Sequence, residues 1–349
     1  MKYGHGGDSY AYENITDFSA NINPLKVPSE ISEAVISGVD ALGSYPDWSC
    51  KALREKIAKN AGCEADDVIC GNGAADLIFS IVYAHRPKQA LLTAPCFSEY
   101  EAALKAADAD IRYHMLSQEH DFILTSDFEK ELTADLDMVF LCVPNNPTGA
   151  VTDKKRLIRI ADICEENGIL LVLDECFNEF LDIPKDYSLL GEMAGRTCLV
   201  ILKSFTKMFA LAGLRLGYAI SCNHALFEKI YRQRQSWPVS TLAQRAGIAA
   251  LDQTAFAESS RNYLLQERAY LAGALCSLGC RVFAGSANFI FFYCVVSLKE
   301  KLLKKGFLIR DCSNYQGLGR GYYRIAVRTH DENVRLLEAM RIVLEEGET

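Results

Sequence analysis

CLVILKSFTKMFALAGLRLGY, residues Cys198 to Tyr218, decides how this chain reads. The apolar run Leu199–Leu202 has the length and composition of a buried strand. It ends in Lys203-Ser204-Phe205-Thr206-Lys207, and Arg215 follows a short apolar loop. A lysine just past a strand end can face a cleft. Partial desolvation there lowers its pKa and makes its amine a nucleophile toward a carbonyl. Two hydroxyls and an arginine nearby suit a phosphate. A solvated lysine pair on a loop would leave the same letters.

Working outward, similar apolar runs occur at Ala90–Thr93, Met138–Val143, Leu170–Leu173 and Leu216–Ile220. Amphipathic stretches separate them. One covers Leu77–Ala84. Another, Thr152–Asn167, carries Leu157, Ile160, Ala161 and Cys164 on one face, with Gly168 at the C′ position. Continuous apolar strands alternating with helices predict a mostly parallel sheet covered on both faces. The C-terminal third reads differently. A long helical region over 225–278 precedes strands at Arg281–Phe283, Asn288–Cys294 and Tyr323–Val327, and a last helix carries Leu336, Leu337, Met340, Val343 and Leu344. Near the N-terminus a helix is expected over Pro28–Leu42, with Ile31, Val35, Val39 and Leu42 on one stripe. The fold class is α/β, a large domain with a mostly parallel sheet and a smaller α+β domain. The expected division is an N-terminal segment 1–44 packing with the small domain, a large domain 45–235 and a small domain 236–349.

Composition narrows the function classes. The chain has 349 residues, 50% apolar and 23% charged, an ordinary globular balance. Its net charge of −8 argues against a nucleic-acid face, which needs clustered basic residues. The longest apolar run, Phe289–Val296, is too short to span a bilayer, and MKYGHGGDSYAYEN contains no signal-peptide core. The thirteen cysteines show no CxxC spacing, so neither a zinc site nor a disulfide framework is expected. A reducing cytoplasm is the simplest setting.

Three more segments could carry chemistry. Asp174-Glu175 closes an apolar strand, and ligands of open parallel sheets lie beyond the strands' carboxyl ends. One acid could pair with a protonated ring nitrogen, or cap a helix. Val143-Pro-Asn145-Asn146-Pro-Thr-Gly149 follows another strand as a rigid turn with amide donors. Gly71-Asn-Gly73-Ala74-Ala75-Asp76 opens a helix, whose free N–H groups can bind phosphate.

Together, in this order, these segments resemble the pyridoxal-phosphate (PLP) enzymes of fold type I, and within them the class I/II aminotransferase family. The resemblance covers nearly the whole chain. It implies that Lys207 is the lysine that bonds to the cofactor and that Asp174 keeps the pyridine nitrogen protonated. Asn146 donates to the ring's phenolic oxygen, and Phe97 stacks on the ring. Ser204, Thr206, Arg215 and the backbone at Gly73, Ala74 and Ala75 form the phosphate cup. Tyr45 reaches the cofactor phosphate of a neighbouring subunit, which implies a homodimer with shared active sites. The family often has tyrosine where this chain has Phe177, so one hydrogen bond to the cofactor is missing. No metal site is implied.

Further segments sharpen the resemblance. His5-Gly6-Gly7, DFSANINPL (residues 17–25), Tyr45-Pro-Asp, RQRQSWPVS (232–240), IRDCSNYQGL (309–318) and YYRIAVR (322–328) are similar to the branch of the family that decarboxylates O-phospho-L-threonine in cobalamin biosynthesis. Histidinol-phosphate aminotransferases share NNPTG, the lysine segment and both C-terminal arginines, but usually lack the HGG start. The implied substrate is a phosphorylated amino acid. Its phosphate is held by His5, Gly6, Gly7, Asn21 and Arg310, and its carboxylate by Arg324, whose planar fork suits that group. A phosphoserine substrate stays open, because one methyl group is worth only ~1–3 kcal/mol in a pocket. A ligand sensor of the same fold fused to a DNA-binding module is not expected of so acidic a chain, and a pseudoenzyme would be expected to have lost Lys207 or Asp174, which are both present.

Overall fold

The computed structural model describes residues 6–346. From the N-terminus the main elements are β1 (Thr16–Asp17), α1 (Ser29–Ile36), α2 (Lys51–Ala61), β2 (Val68–Gly71), α3 (Ala74–His85), β3 (Gln89–Ala94), α4 (Ser98–Ala106), β4 (Asp110–Met115) and β5 (Met138–Cys142). Next come α5 (Lys154–Asn167), β6 (Leu170–Asp174), β7 (Leu199–Ser204), α6 (Phe205–Met208), β8 (Gly217–Ile220), α7 (His224–Gln233), α8 (Thr241–Ala250) and α9 (Thr254–Ser277). The C-terminal part holds β9 (Arg281–Val282), β10 (Phe289–Tyr293), α10 (Lys299–Lys304), β11 (Phe307–Leu308), β12 (Arg310–Asp311), β13 (Tyr322–Ala326) and α11 (His330–Glu345).

Seven strands form the large sheet in the order β2-β8-β7-β6-β5-β3-β4. All neighbours from β7 to β4 are parallel, whereas β8 runs antiparallel to both β2 and β7. The strand period of two explains the continuous apolar runs. In β6, Leu171 and Leu173 join a core with Leu53 of α2 and Leu157 of α5, while Leu170 and Val172 join a second core with Leu77 of α3 and Leu104 of α4. Both faces are buried, so every position must be apolar. A third core, under the small sheet β12-β13-β10-β9, gathers Leu264, Leu271 and Leu275 of α9 with Leu336 and Met340 of α11.

Two sequence expectations meet a different packing. The helix expected to reach Leu42 stops at Ile36, and Val39 and Leu42 of the same stripe are exposed. Gly38 marks the break, where an added Cβ would lie 2.6 Å from Leu242 Cδ2. Of the residues expected in the small domain, α8 instead presents Ala243, Ala246 and Ala250 to the large-sheet core that holds Ile31 and Leu53. The small residues allow this close contact: a Cβ on Gly247 would meet Leu216 at 2.5 Å. The N-terminal segment is divided likewise. β1 pairs with β11 beside the small sheet, while Ile31 of α1 is buried in the large-sheet core. Among the described residues no helix is long and apolar enough to cross a membrane.

Candidate active site

The carboxyl ends of β5, β6 and β7 converge with the N-terminus of α3 around a pocket of about 110 Å³. Ala74, Ala75, Phe97, Asn146, Asp174, Ser204, Thr206, Lys207 and Arg215 all line it, drawn from six separate stretches of sequence. A larger cavity, about 240 Å³, lies on the other side of Ser204, bordered by Glu175, Lys203 and Tyr218. Its buried lysine is already paired: Lys203 Nζ lies 2.8 Å from Glu175 Oε2 and 3.3 Å from Glu179 Oε1. Strand alternation thus separates the two consecutive acids, sending Asp174 to the small pocket and Glu175 to the ion pair.

One end of the small pocket is built for an anion. Gly73 precedes α3 with φ +86°, a conformation that favours glycine, and a Cβ there would sit 2.7 Å from Arg215 Nη2. A Cβ on Gly217 would meet Ala74 N at 2.6 Å. The bare backbone therefore lets the first turn of α3, the Arg215 guanidinium and the Ser204 and Thr206 hydroxyls share one small volume. Helix N–H groups, a guanidinium and hydroxyls are the donor set of a phosphate cradle. Arg215 itself is left-handed at φ 55°, a strained setting for a non-glycine residue that the surrounding structure must hold.

At the middle of the pocket lies the Lys207 amine, 5.4 Å from the Phe177 ring centroid. Burial, and next the nearby Arg324 and Arg215 charges, lower its pKa to about 8. Roughly a tenth of it is therefore neutral and nucleophilic at pH 7, far more than of an ordinary lysine. Asp174 is buried and doubly anchored. Its Oδ1 accepts from Cys176 N–H at 2.9 Å, and its Oδ2 accepts from the Tyr100 hydroxyl at 2.5 Å. Asn146 accepts from Arg324 Nη1 through Oδ1, which leaves its NH₂ group for a ligand. The turn that carries it is fixed by Asn145, whose Nδ2 donates to Thr148 Oγ1 at 2.9 Å and Pro95 O at 3.1 Å. An anion cradle, a flanking aromatic, a buried carboxylate and a depressed lysine fit pyridoxal phosphate. Lys207 would bond to it, Asp174 would face its ring nitrogen, and the cradle would take its phosphate.

A second cluster adjoins this pocket through Arg324. That guanidinium also donates from Nη2 to Ser19 O at 2.8 Å. Arg310 stands directly opposite Arg324 in the β12–β13 pairing. Its Nη1 and Nη2 each donate at 2.8 Å, to Asp311 O and Asn314 Oδ1. The Nε atoms of both arginines and Oδ1 of Asn21 are buried without a partner. Gly7 N donates to Ser19 Oγ at 2.7 Å, and a Cβ on Gly6 would lie 2.3 Å from Ser19 O, so the glycine pair rests against Ser19. The segment is clasped to the lysine turn: Asn23 N donates to Lys207 O at 3.1 Å, and Asn23 Nδ2 to Met208 O at 2.7 Å. His5 lies outside the described residues. Tyr45 does not line the pocket. It is 80% exposed and stacks on Trp237 at 4.3 Å.

Sequence reasoning missed Tyr100 and Ser19. Tyr100 stands one helical turn after Phe97, a spacing that hints at a shared face, but its contact with Asp174 joins residues far apart in the chain.

The sequence pattern of the family described as aminotransferase class I and II matches residues 13–340. Threonine-phosphate decarboxylase of Salmonella typhimurium is 37% identical over 95% of this chain and 92% of its own length. Among solved structures, histidinol-phosphate aminotransferase from Clostridium acetobutylicum has a TM-score of 0.88 at 29% identity, covering 94% of this chain and 99% of its own. L-threonine-O-3-phosphate decarboxylase from Porphyromonas gingivalis has a TM-score of 0.84 at 23% identity, covering 94% and 99%.

Proposed function

The chain belongs to the class I and II aminotransferase family and is a PLP-dependent enzyme, and from that premise we propose that it decarboxylates O-phospho-L-threonine to (R)-1-aminopropan-2-ol O-phosphate for cobalamin biosynthesis. One observation carries the choice of a phosphorylated, carboxylated substrate, and the likeness to a decarboxylase carries the choice of reaction. Arg310 and Arg324 face each other across adjacent strands with their Nε atoms buried and unpartnered. Like charges directly opposite destabilise a strand pair. A substrate with two anionic groups, a phosphate and a carboxylate, would relieve both. The likeness to the Salmonella decarboxylase along nearly all of both chains supports the same reading.

When bound, PLP supplies an electron sink for the pair left on the substrate's α-carbon. The reaction exchanges carboxylate for hydrogen: the Cα–carboxylate bond breaks, CO₂ leaves, and Cα takes up a proton. The phosphate is gripped by Arg310, Asn21, Gly6 and Gly7, and the sequence motif adds His5 to this set. Arg324 holds the carboxylate and so fixes which Cα bond breaks. Binding energy from the remote phosphate orients the reacting bond. Lys207 is suited to deliver the proton to Cα, since an amine with a pKa of about 8 both gives and takes protons near neutral pH. The β-carbon is untouched, so its configuration is retained.

We further propose a cytoplasmic homodimer. All thirteen cysteines are free thiols. Ile36, Val39, Leu42, Tyr45, Trp48 and Trp237 are exposed apolar residues, with Tyr45 stacked on Trp237, and Tyr45 would reach the partner's cofactor phosphate. Light scattering of Leu42→Glu tests this: a drop from dimer to monomer is expected, and a wild-type monomer sinks it.

The function itself is tested by incubating the PLP-loaded protein with O-phospho-L-threonine and 2-oxoglutarate, read by mass spectrometry. Aminopropanol phosphate without glutamate is expected. Glutamate with no loss of CO₂ would make it an aminotransferase. Faster turnover of phosphoserine to ethanolamine phosphate would change the substrate.

A further inference from the structure

Tyr100 is absent from the site residues that the sequence motifs supply, yet it touches two of the groups assigned to the cofactor. It sits in the first turn of α4, is fully buried, and donates its hydroxyl to Asp174 Oδ2 at 2.5 Å. Its ring stacks on Phe140 of β5 at 4.8 Å and 12°, and meets Phe97 edge-on at 5.6 Å and 83°. A buried phenol needs a polar partner, and many would have served. This one is the carboxylate assigned to the ring nitrogen, while the ring edge contacts the aromatic assigned to the ring face.

We propose that Tyr100 is a positioning residue for the cofactor ring, fixing the Asp174 carboxylate and the Phe97 ring against each other. The inference rests on the role assigned to Asp174, not on the choice of substrate.

Two donors hold Asp174, and they differ. Cys176 N–H is backbone and survives any side-chain change, and the Cys176 thiol beside the carboxylate is a weak donor, whereas the Tyr100 hydroxyl is the strong side-chain donor. Without it Oδ2 is free to turn about χ2. The carboxylate would also attract a shared proton more strongly, because a donor that stabilised its charge is gone. Both changes weaken the hold on a protonated ring nitrogen. The phenol is suited to the task because it stays neutral: burial and the Asp174 charge hold its pKa well above the usual tyrosine range. The Cys142 thiol beside it does not compete as an anion, since burial and Asp174 also push it up.

The experiment compares wild type, Tyr100→Phe, Phe140→Leu and Asp174→Ala as holoenzymes and after cofactor removal. Tyr100→Phe keeps both ring contacts and deletes one oxygen. A hydrogen bond to a charged group is worth enough that kcat should fall roughly tenfold to a hundredfold, with KM changed much less. Cofactor should dissociate faster by a similar factor. With ¹⁵N-labelled cofactor, the ring-nitrogen resonance should move toward its unprotonated position. The cofactor-free Tyr100→Phe protein should melt close to wild type, unlike Phe140→Leu, which loses packing and should leave the nitrogen resonance in place. A Tyr100→Phe enzyme with wild-type kcat and resonance overturns the proposal. So does one whose losses match those of Phe140→Leu, which would make Tyr100 a packing residue. If Asp174→Ala leaves the resonance and cofactor retention unchanged, the Asp174 assignment fails and takes this proposal with it, whatever substrate the enzyme turns over.

Discussion

The two halves of the candidate site are built on different terms. The cofactor half stands on strand ends and helix starts of one sheet, and several of its polar side chains are already partnered, although Asn145 Oδ1 in the Asn146 turn is buried without a partner. Asp174 has two donors, Asn146 has Arg324, and Ser204 accepts from Thr206 N–H at 3.1 Å. The substrate half is assembled from the N-terminal segment and the small sheet. There two arginines confront each other, and Arg310 Nε, Arg324 Nε and Asn21 Oδ1 are buried without partners. Buried polar atoms without partners are costly. The contrast teaches that one half is preorganised for a resident group, while the other is left unbalanced for a transient dianion to neutralise.

Removing the amine that joins the halves should break the contrast most severely. Lys207→Ala should lose the visible absorbance of bound cofactor and roughly a thousandfold or more of kcat; an unchanged spectrum sinks the lysine assignment. The next largest effect needs no mutation. Only the neutral amine attacks a carbonyl, so cofactor uptake by the apo-protein should slow roughly tenfold for each pH unit below about 8 and level off above it. Stopped-flow absorbance reads this directly, and a flat profile from neutral to alkaline pH contradicts a buried, depressed lysine. Arg324→Ala should cost about 2 kcal/mol or more, roughly thirtyfold in KM, and much less in cofactor affinity. If cofactor loss dominates, the two halves are not separable at this residue. The smallest effect is expected at Phe177→Tyr. A restored phenol near Lys207 should shift the pH at which the visible band changes and leave kcat within about tenfold. A substrate KM that moves more than the spectrum would put Phe177 in the substrate half.

What the sequence revealed follows the same division. Strands β3, β5, β6 and β7 are legible because both their faces are buried and their letters are uniformly apolar. β4, Asp110–Met115, escapes because it is an edge strand with alternating exposure and carries Asp110, Arg112 and His114. β11 and β12 escape because two residues leave no period to read. The long helical region over 225–278 is three helices, broken near Arg234–Ser240 and Leu251–Gln253. The pocket residues could be named from motifs, since each motif is local. The links between them could not: Tyr100 to Asp174 and Arg324 to Asn146 join distant segments, and nothing in either segment announces its partner. The end of α1 at Ile36 was hidden for another reason. The stripe Ile31–Leu42 is real in sequence, but its second half faces outward, where its own fold gives it nothing to bury against.

The parallel pairing of β1 with β11, Thr16 with Phe307 and Asp17 with Leu308, joins the beginning of the chain to nearly its end. A ribosome delivers residues 16–17 long before their partners. The strands of the large sheet end at Ile220, but its core closes only with α8, which supplies Ala243, Ala246 and Ala250. Only when β11 emerges can the segment carrying Ser19 and Asn21 settle against its strand partner and wall off the lysine. The strand pairing that seats the substrate-side segment therefore becomes available only after Asp174 and Lys207 have been made.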